Sequence, residues 1–185
     1  MSGVASEIFQ KYTSRLLGFN NIFSWPSGEI HIDNPLIADA SITKDIWRRK
    51  IKINISERKK YGAWCEQEKC FWFDENGVIF EPAPESEGKL IFKIKSNSSI
   101  VGPDLFKNLK KILENIKDDF LFEDFYFDDK GLDLKTKIIN GPNLIFNLRF
   151  DPETNLAALK EMKKRKEWPN FKVIDLKISG KVFYQ

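Results

Sequence analysis

Two cysteines are the first residues in the chain able to do chemistry: Cys65 and Cys70, spaced C-x4-C. Thiols at that spacing could ligate a metal, exchange electrons or close a disulfide. Structural zinc takes four ligands, and the chain supplies only one histidine, His31, far away in sequence. A redox dithiol is more often C-x-x-C. The two thiols lie at the mouth of a predicted hairpin, residues 61–65 and 70–73, where opposed positions face each other. A disulfide is therefore the favoured reading, with two independent reduced thiols as the alternative. A disulfide would place folding outside the cytosol.

The remaining candidates give less. His31 is the only imidazole and lies far from any nucleophile, so a surface or capping role outweighs that of a general base. The acid pairs Asp118-Asp119, Glu123-Asp124 and Asp128-Asp129 flank aromatic strands at turns, where carboxylates solvate loop ends. No G-x-G-x-x-G and no Walker-type lysine occurs. The run Lys163-Lys-Arg-Lys166 falls in the last turn of a predicted helix, where cations favour the helix dipole. The sequence thus predicts no catalytic residue, no metal ligand and no cofactor, and the expectation is a binding protein.

Composition bounds the class. With 185 residues, 42% hydrophobic and 31% charged, the chain can bury a core as one domain or two small ones. Thirty Lys and Arg nearly balance twenty-seven Asp and Glu, so the net charge of +3 gives no electrostatic case for nucleic acid. No apolar run is long enough to span a bilayer and no signal segment opens the chain.

The elements that would position these residues follow from periodicity. Residues 4–17 carry Val4, Ile8, Tyr12, Leu16 and Leu17 at helical spacing. A short helix is expected over 30–34, then strands over 38–44 and 49–57, the latter alternating Ile51, Ile53 and Ile55 with Lys50, Lys52 and Asn54. Beyond the cysteine hairpin, Asp74-Glu-Asn-Gly77 is a turn, Pro82 and Pro84 mark a loop, and 90–95 alternates. A helix from about Asp104 has Leu105, Phe106, Leu109, Ile112, Leu113 and Ile116 on one stripe. Strands over 120–127, 132–137 and 144–150 precede a second helix, with Asp151 as cap, Pro152 at its first position and Leu156, Leu159 and Met162 inward. Residues 171–178 close the pattern as a strand with Ile174, Leu176 and Ile178 on its buried face, and 182–184 extend it or fold back on it.

Four stretches, in order, resemble the FtsQ/DivIB family of bacterial cell-division proteins. Pro35-Leu-Ile-Ala-Asp-Ala-Ser-Ile42 looks like the helix end and strand of that family's POTRA subdomain. Ile51-Lys-Ile-Asn-Ile-Ser-Glu-Arg-Lys-Lys-Tyr-Gly-Ala-Trp64 is similar to the strand and "ERxPxAxW" element that leave it. Phe71-Trp-Phe-Asp-Glu-Asn-Gly-Val-Ile-Phe80 resembles the "yxvDxxGxxf" hairpin, and Val173-Ile-Asp-Leu-Lys177 the "yxDLR" strand. Lys60, Gly62 and Lys177 stand where those elements read Pro, Ala and Arg.

The resemblance implies an α+β chain: a small POTRA-like subdomain over 1–57, its first strand missing, followed by a mostly antiparallel β-domain with two helices over 58–185. It further implies a divisome scaffold on the extracytoplasmic face of the bacterial plasma membrane at the division site, attached through a single-pass anchor that precedes this chain. Expected partners are coiled-coil proteins of the FtsB/DivIC and FtsL types, received by strand addition on Lys172, Val173, Ile174, Asp175, Leu176, Lys177 and Ile178. An edge strand offers unpaired N–H and C=O groups that an extended peptide satisfies. The competing expectations are a POTRA-type module of outer-membrane protein assembly or secretion, and a hydrolase using acidic turn residues.

Overall fold

The computed structural model describes residue 23, residues 25–84 and residues 92–185; the helix expected over 4–17 lies outside the described residues. The architecture is α+β, with two α-helices and mostly antiparallel strand pairing among the described residues. Contacts divide the chain into two compact units, Met1–Arg58 and Lys59–Gln185.

The first unit holds a three-stranded antiparallel sheet of β1 (Gly28–Glu29), β2 (Ile37–Asp45) and β3 (Lys50–Glu57), in that spatial order. Pairing of Ala40 with Ile55, Ile42 with Ile53 and Lys44 with Ile51 puts the alternating isoleucines on the face of the buried Ala40 and Ile42. The isoleucines themselves are half-buried. Lys44 Nζ donates to the carbonyl of the buried Trp25 at 2.7 Å. The short helix expected over 30–34 does not form. Ile30 instead donates its N–H to Ala40 O at 2.9 Å, prolonging the β1–β2 pairing, and Asn34 Oδ1 accepts from Leu36 N in a tight turn.

The second unit is built on nine strands among the described residues: β4 (Gly62–Glu66), β5 (Lys69–Phe73), β6 (Ile79–Ala83), β7 (Phe92–Ser96), β8 (Phe125–Asp128), β9 (Asp133–Lys137), β10 (Asn143–Asn147), β11 (Val173–Leu176) and β12 (Phe183–Tyr184). They lie in the order β12-β11-β10-β9-β8-β7-β4-β5-β6. Where a helix intervenes the strands are parallel: α1 (Pro103–Ile116) carries the chain from β7 to β8, and α2 (Glu153–Lys163) from β10 to β11. Tight turns make the other consecutive pairs antiparallel. Pro82 sits inside β6 rather than in a loop. The strand tolerates it because β6 is outermost and proline's missing N–H is not needed there.

Both helices bury their apolar stripes on one face of this sheet. Phe106, Leu109, Ile112, Leu113 and Ile116 of α1 and Leu156, Leu159 and Met162 of α2 pack with Trp64, Phe73, Ile94, Phe127, Leu134, Leu144, Phe146 and Ile174. Each leucine or isoleucine buried in this way contributes about 1.5–3 kcal/mol. Gly77 completes the turn after β5 at φ +80, where any Cβ would stand 2.8 Å from the Phe106 ring. Asp74 Oδ1 holds that turn by accepting from Asn76 N and Val78 N, each at 2.9 Å.

Candidate docking edge

The strand singled out by sequence is not the outermost one. β11 lies between β10, to which it is parallel, and β12, which folds back antiparallel on it with Ile174 opposite Tyr184 and Asp175 opposite Phe183. Lys172 N and Val173 N both donate to Gln185 O, at 2.7 and 3.4 Å, and Gln185 N returns a bond to Val173 O at 3.1 Å. The face of β11 expected to be open is therefore occupied, and the sheet's edge is β12. In an antiparallel ladder alternate residues direct both backbone groups to the neighbour. With Phe183 and Gln185 turned toward β11, Tyr184 is the residue whose N–H and C=O point outward.

The predicted docking residues divide by depth. Ile174 and Leu176 are buried, Val173, Asp175 and Lys177 half-buried, and Lys172 and Ile178 exposed. Ile178, expected on the buried face, is 49% exposed because the strand ends at Leu176. There Asp175 Oδ1 accepts from Lys177 N at 2.9 Å and starts the turn toward Gly180, which holds φ +70. Lys177 Nζ lies 3.5 Å from Asp175 and 3.9 Å from Asp133, so its charge is engaged within the sheet.

A residue the sequence reading passed over fixes this turn. Asn155, buried in the first turn of α2, donates from Nδ2 to Leu176 O at 2.7 Å and to Ile178 O at 2.9 Å. Its Oδ1 accepts from Gly180 N at 2.8 Å. One amide thus satisfies three backbone groups of the β11–β12 connection. The signal was present: Asn155 precedes Leu159 by four positions and so lies on the helix's apolar stripe, where a polar side chain needs partners. From below, Phe120 stacks on Trp168 at 5.6 Å, Trp168 meets Phe171 edge-on at 6.3 Å, and Phe171 meets Tyr184 at 5.0 Å. This row of rings runs from the core to the edge strand. Phe183 and Tyr184 remain 53% and 54% exposed.

The other candidates take structural places. Cys65 and Cys70 are opposite each other in the β4–β5 hairpin and bonded, with sulfurs 2.03 Å apart. His31 is exposed. Of the acid pairs, Asp119 meets Lys160 at 3.4 Å, Glu123 meets Lys137 at 3.4 Å, Asp124 meets Lys95 at 2.7 Å, and Asp128 Oδ1 accepts from Lys130 N at 3.2 Å. The bond to Asp124 is the leading cause that raises the Lys95 amine above its ordinary range. Lys163 donates to the Asp119 carbonyl and Lys164 pairs with Glu161 at 2.6 Å. Among the described residues no group of three or more His, Cys, Asp or Glu converges, and no helix is long and apolar enough to cross a membrane. No family model matches the chain, and no curated protein matches it.

Proposed function

We propose that this chain is a non-catalytic scaffold of the bacterial division machinery, working on the outer side of the plasma membrane, and that it receives an extended segment of a partner as an added strand along β12. The observation that supports this reading best is the exposed, aromatic β12, backed by the Asn155 clamp and the Phe120–Trp168–Phe171–Tyr184 row. An extended peptide paired there would gain main-chain hydrogen bonds from Tyr184, while Phe183 and the half-buried Val173 and Asp175 offer side-chain contacts that select it. The exposed Lys172 would add attraction for an acidic partner, acting on rate and register. The resemblance of four stretches to the FtsQ/DivIB family supplies the partner class: coiled-coil division proteins of the FtsB/DivIC and FtsL types.

The test is capture of an FtsB/DivIC-type segment by the wild-type chain and by Tyr184→Pro. Proline at 184 removes an outward donor, whereas proline at 173 would break the internal bond from Val173 N to Gln185 O. Loss of one good hydrogen bond and its register predicts affinity lower by about tenfold or more. Equal capture by a Tyr184→Pro chain with an unchanged circular dichroism spectrum would sink the proposal.

A further inference from the structure

We infer that the β2–β3 hairpin tip is a membrane-interface anchor that seats Ile46 and Trp47 in an anionic phospholipid surface. Trp47 is 97% exposed and Ile46 50% exposed, whereas Trp25, Trp64 and Trp72 are all buried. An indole left in water forgoes the burial that makes tryptophan a large apolar contributor elsewhere. The tip is also a built turn rather than a frayed end. Asp45 pairs with Lys50 to close it, Asp45 Oδ1 accepts from Arg48 N at 2.9 Å, and Arg49 N donates to Ile46 O at 3.3 Å. Arg49 takes the left-handed conformation, φ 50, that turns the chain into β3. The indole is therefore presented at the apex.

Charge identifies the surface it fits. Arg48, Arg49, Lys50 and Lys52 are all exposed around the apolar pair. The one acid in the hairpin turn, Asp45, lies 3.7 Å from Arg48. A chain of net charge +3 thus gathers four exposed cations around one hairpin tip. Tryptophan favours the headgroup level of a bilayer, and long cationic side chains lay their stems along it while their heads meet anionic phosphates. A projecting apolar wedge rimmed by cations suits a deformable surface, since a rigid protein partner would need a matching concave pocket. This inference concerns the unit ending at Arg58 and does not depend on the reading of β12.

The experiment is flotation of the whole chain with vesicles of phosphatidylcholine alone or mixed with phosphatidylglycerol, with tryptophan emission read in parallel. Binding is expected only to the anionic vesicles, with a blue shift that Trp47→Phe removes. Trp47→Ser should weaken binding by about tenfold, the scale of one desolvated indole. Joint Arg48→Ser and Arg49→Ser changes should weaken it about fivefold per cation. Salt of about 1 M, where the screening length falls to about 3 Å, should release most of the bound chain. Absence from anionic vesicles at low salt, or wild-type binding by Trp47→Ser, overturns the inference. So does self-association that requires Trp47 and leaves vesicles unbound. Trp47 is exposed, so its replacement leaves the fold in place and each outcome readable.

Discussion

The two ends of the nine-stranded sheet handle the same liability in opposite ways. At the β6 end, Pro82 withdraws a donor and a register shift between Trp72 and Phe73 distorts the last pairing. Glu81 is engaged with Lys60 at 2.6 Å, and the same ammonium lies 5.1 Å above the Trp72 ring. These devices blunt an edge against further pairing. The β12 end has neither the proline nor the register shift: residues 171–185 contain no proline, the β11–β12 pairing is regular, and the exposed residues of the two-residue strand itself are aromatic. Its order comes from behind, through Asn155 and the row of rings. The contrast teaches that an outermost strand can keep outward-facing backbone groups while the turn leading into it is tied down by a buried side chain on a neighbouring helix.

The largest test of that contrast is Asn155→Leu. The substitution keeps the helix stripe apolar but deprives Leu176 O, Ile178 O and Gly180 N of their partner. Three bonds at about 1 kcal/mol each predict an unfolding free energy lower by about 3 kcal/mol. Amide exchange at β11 and β12 should quicken while β4 and β5 keep their protection. Unchanged exchange at β12 would show that the edge is held by something other than this clamp.

The next effect belongs to the opposite end. Joint replacement of Cys65 and Cys70 by serine removes a cross-link that closes a short loop, which predicts a loss of about 2 kcal/mol in urea denaturation. The faster exchange should be confined to β4 and β5, and partner capture at β12 should not change. A fall in capture would mean that the two ends are coupled and would undo the separation drawn between them.

Much of this arrangement was legible in the residues. The α1 stripe predicts five of the buried core positions, and the opposed Cys65 and Cys70 mark the β4–β5 hairpin through its alternation. Asp74 through Gly77 read as a turn because a carboxylate that bonds its own backbone and a glycine at positive φ are what that geometry requires. What escaped depends on partners distant in sequence. Residues 30–34 are expected as a short helix, yet their β-branched and Asx residues favour it little and the bond from Ile30 N to Ala40 O continues the β1–β2 pairing instead. Pro82 argues against a strand unless the strand is known to be outermost. β12 is two residues long and carries no periodicity of its own, so only its register with Ile174 and Asp175 defines it. The outermost strand therefore lies one further out than periodicity alone indicates. Asn155 could be placed on a helix stripe, but its purpose appears only once the turn at Gly180 folds over it.

The smallest effect concerns how each end treats a buried polar group. Asn155 meets three partners, whereas the Tyr61 hydroxyl, beside β4 and β5, is buried with no hydrogen-bond partner among the described residues. Its ring packs on Phe73 at 6.0 Å and Phe92 at 5.9 Å, so the side chain is retained for its apolar body. Burial, followed by the nearby Glu114 and Glu75 carboxylates, pushes its phenol well above the ordinary range. Tyr61→Phe keeps both ring contacts and removes the orphan, which predicts a gain of about 1 kcal/mol at neutral pH. The sign with pH follows from the raised value. The neutral phenol's contribution is fully present below the unfolded value of about 10 and is lost as pH rises toward the folded one. The wild-type chain therefore weakens in alkali through a group the variant lacks, and the variant's advantage should widen between about pH 7 and pH 11. Denaturant midpoints at both pH values measure it. A Tyr61→Phe chain less stable than wild type at neutral pH would mean that the hydroxyl has a partner, and both ends would then satisfy their buried polar groups alike.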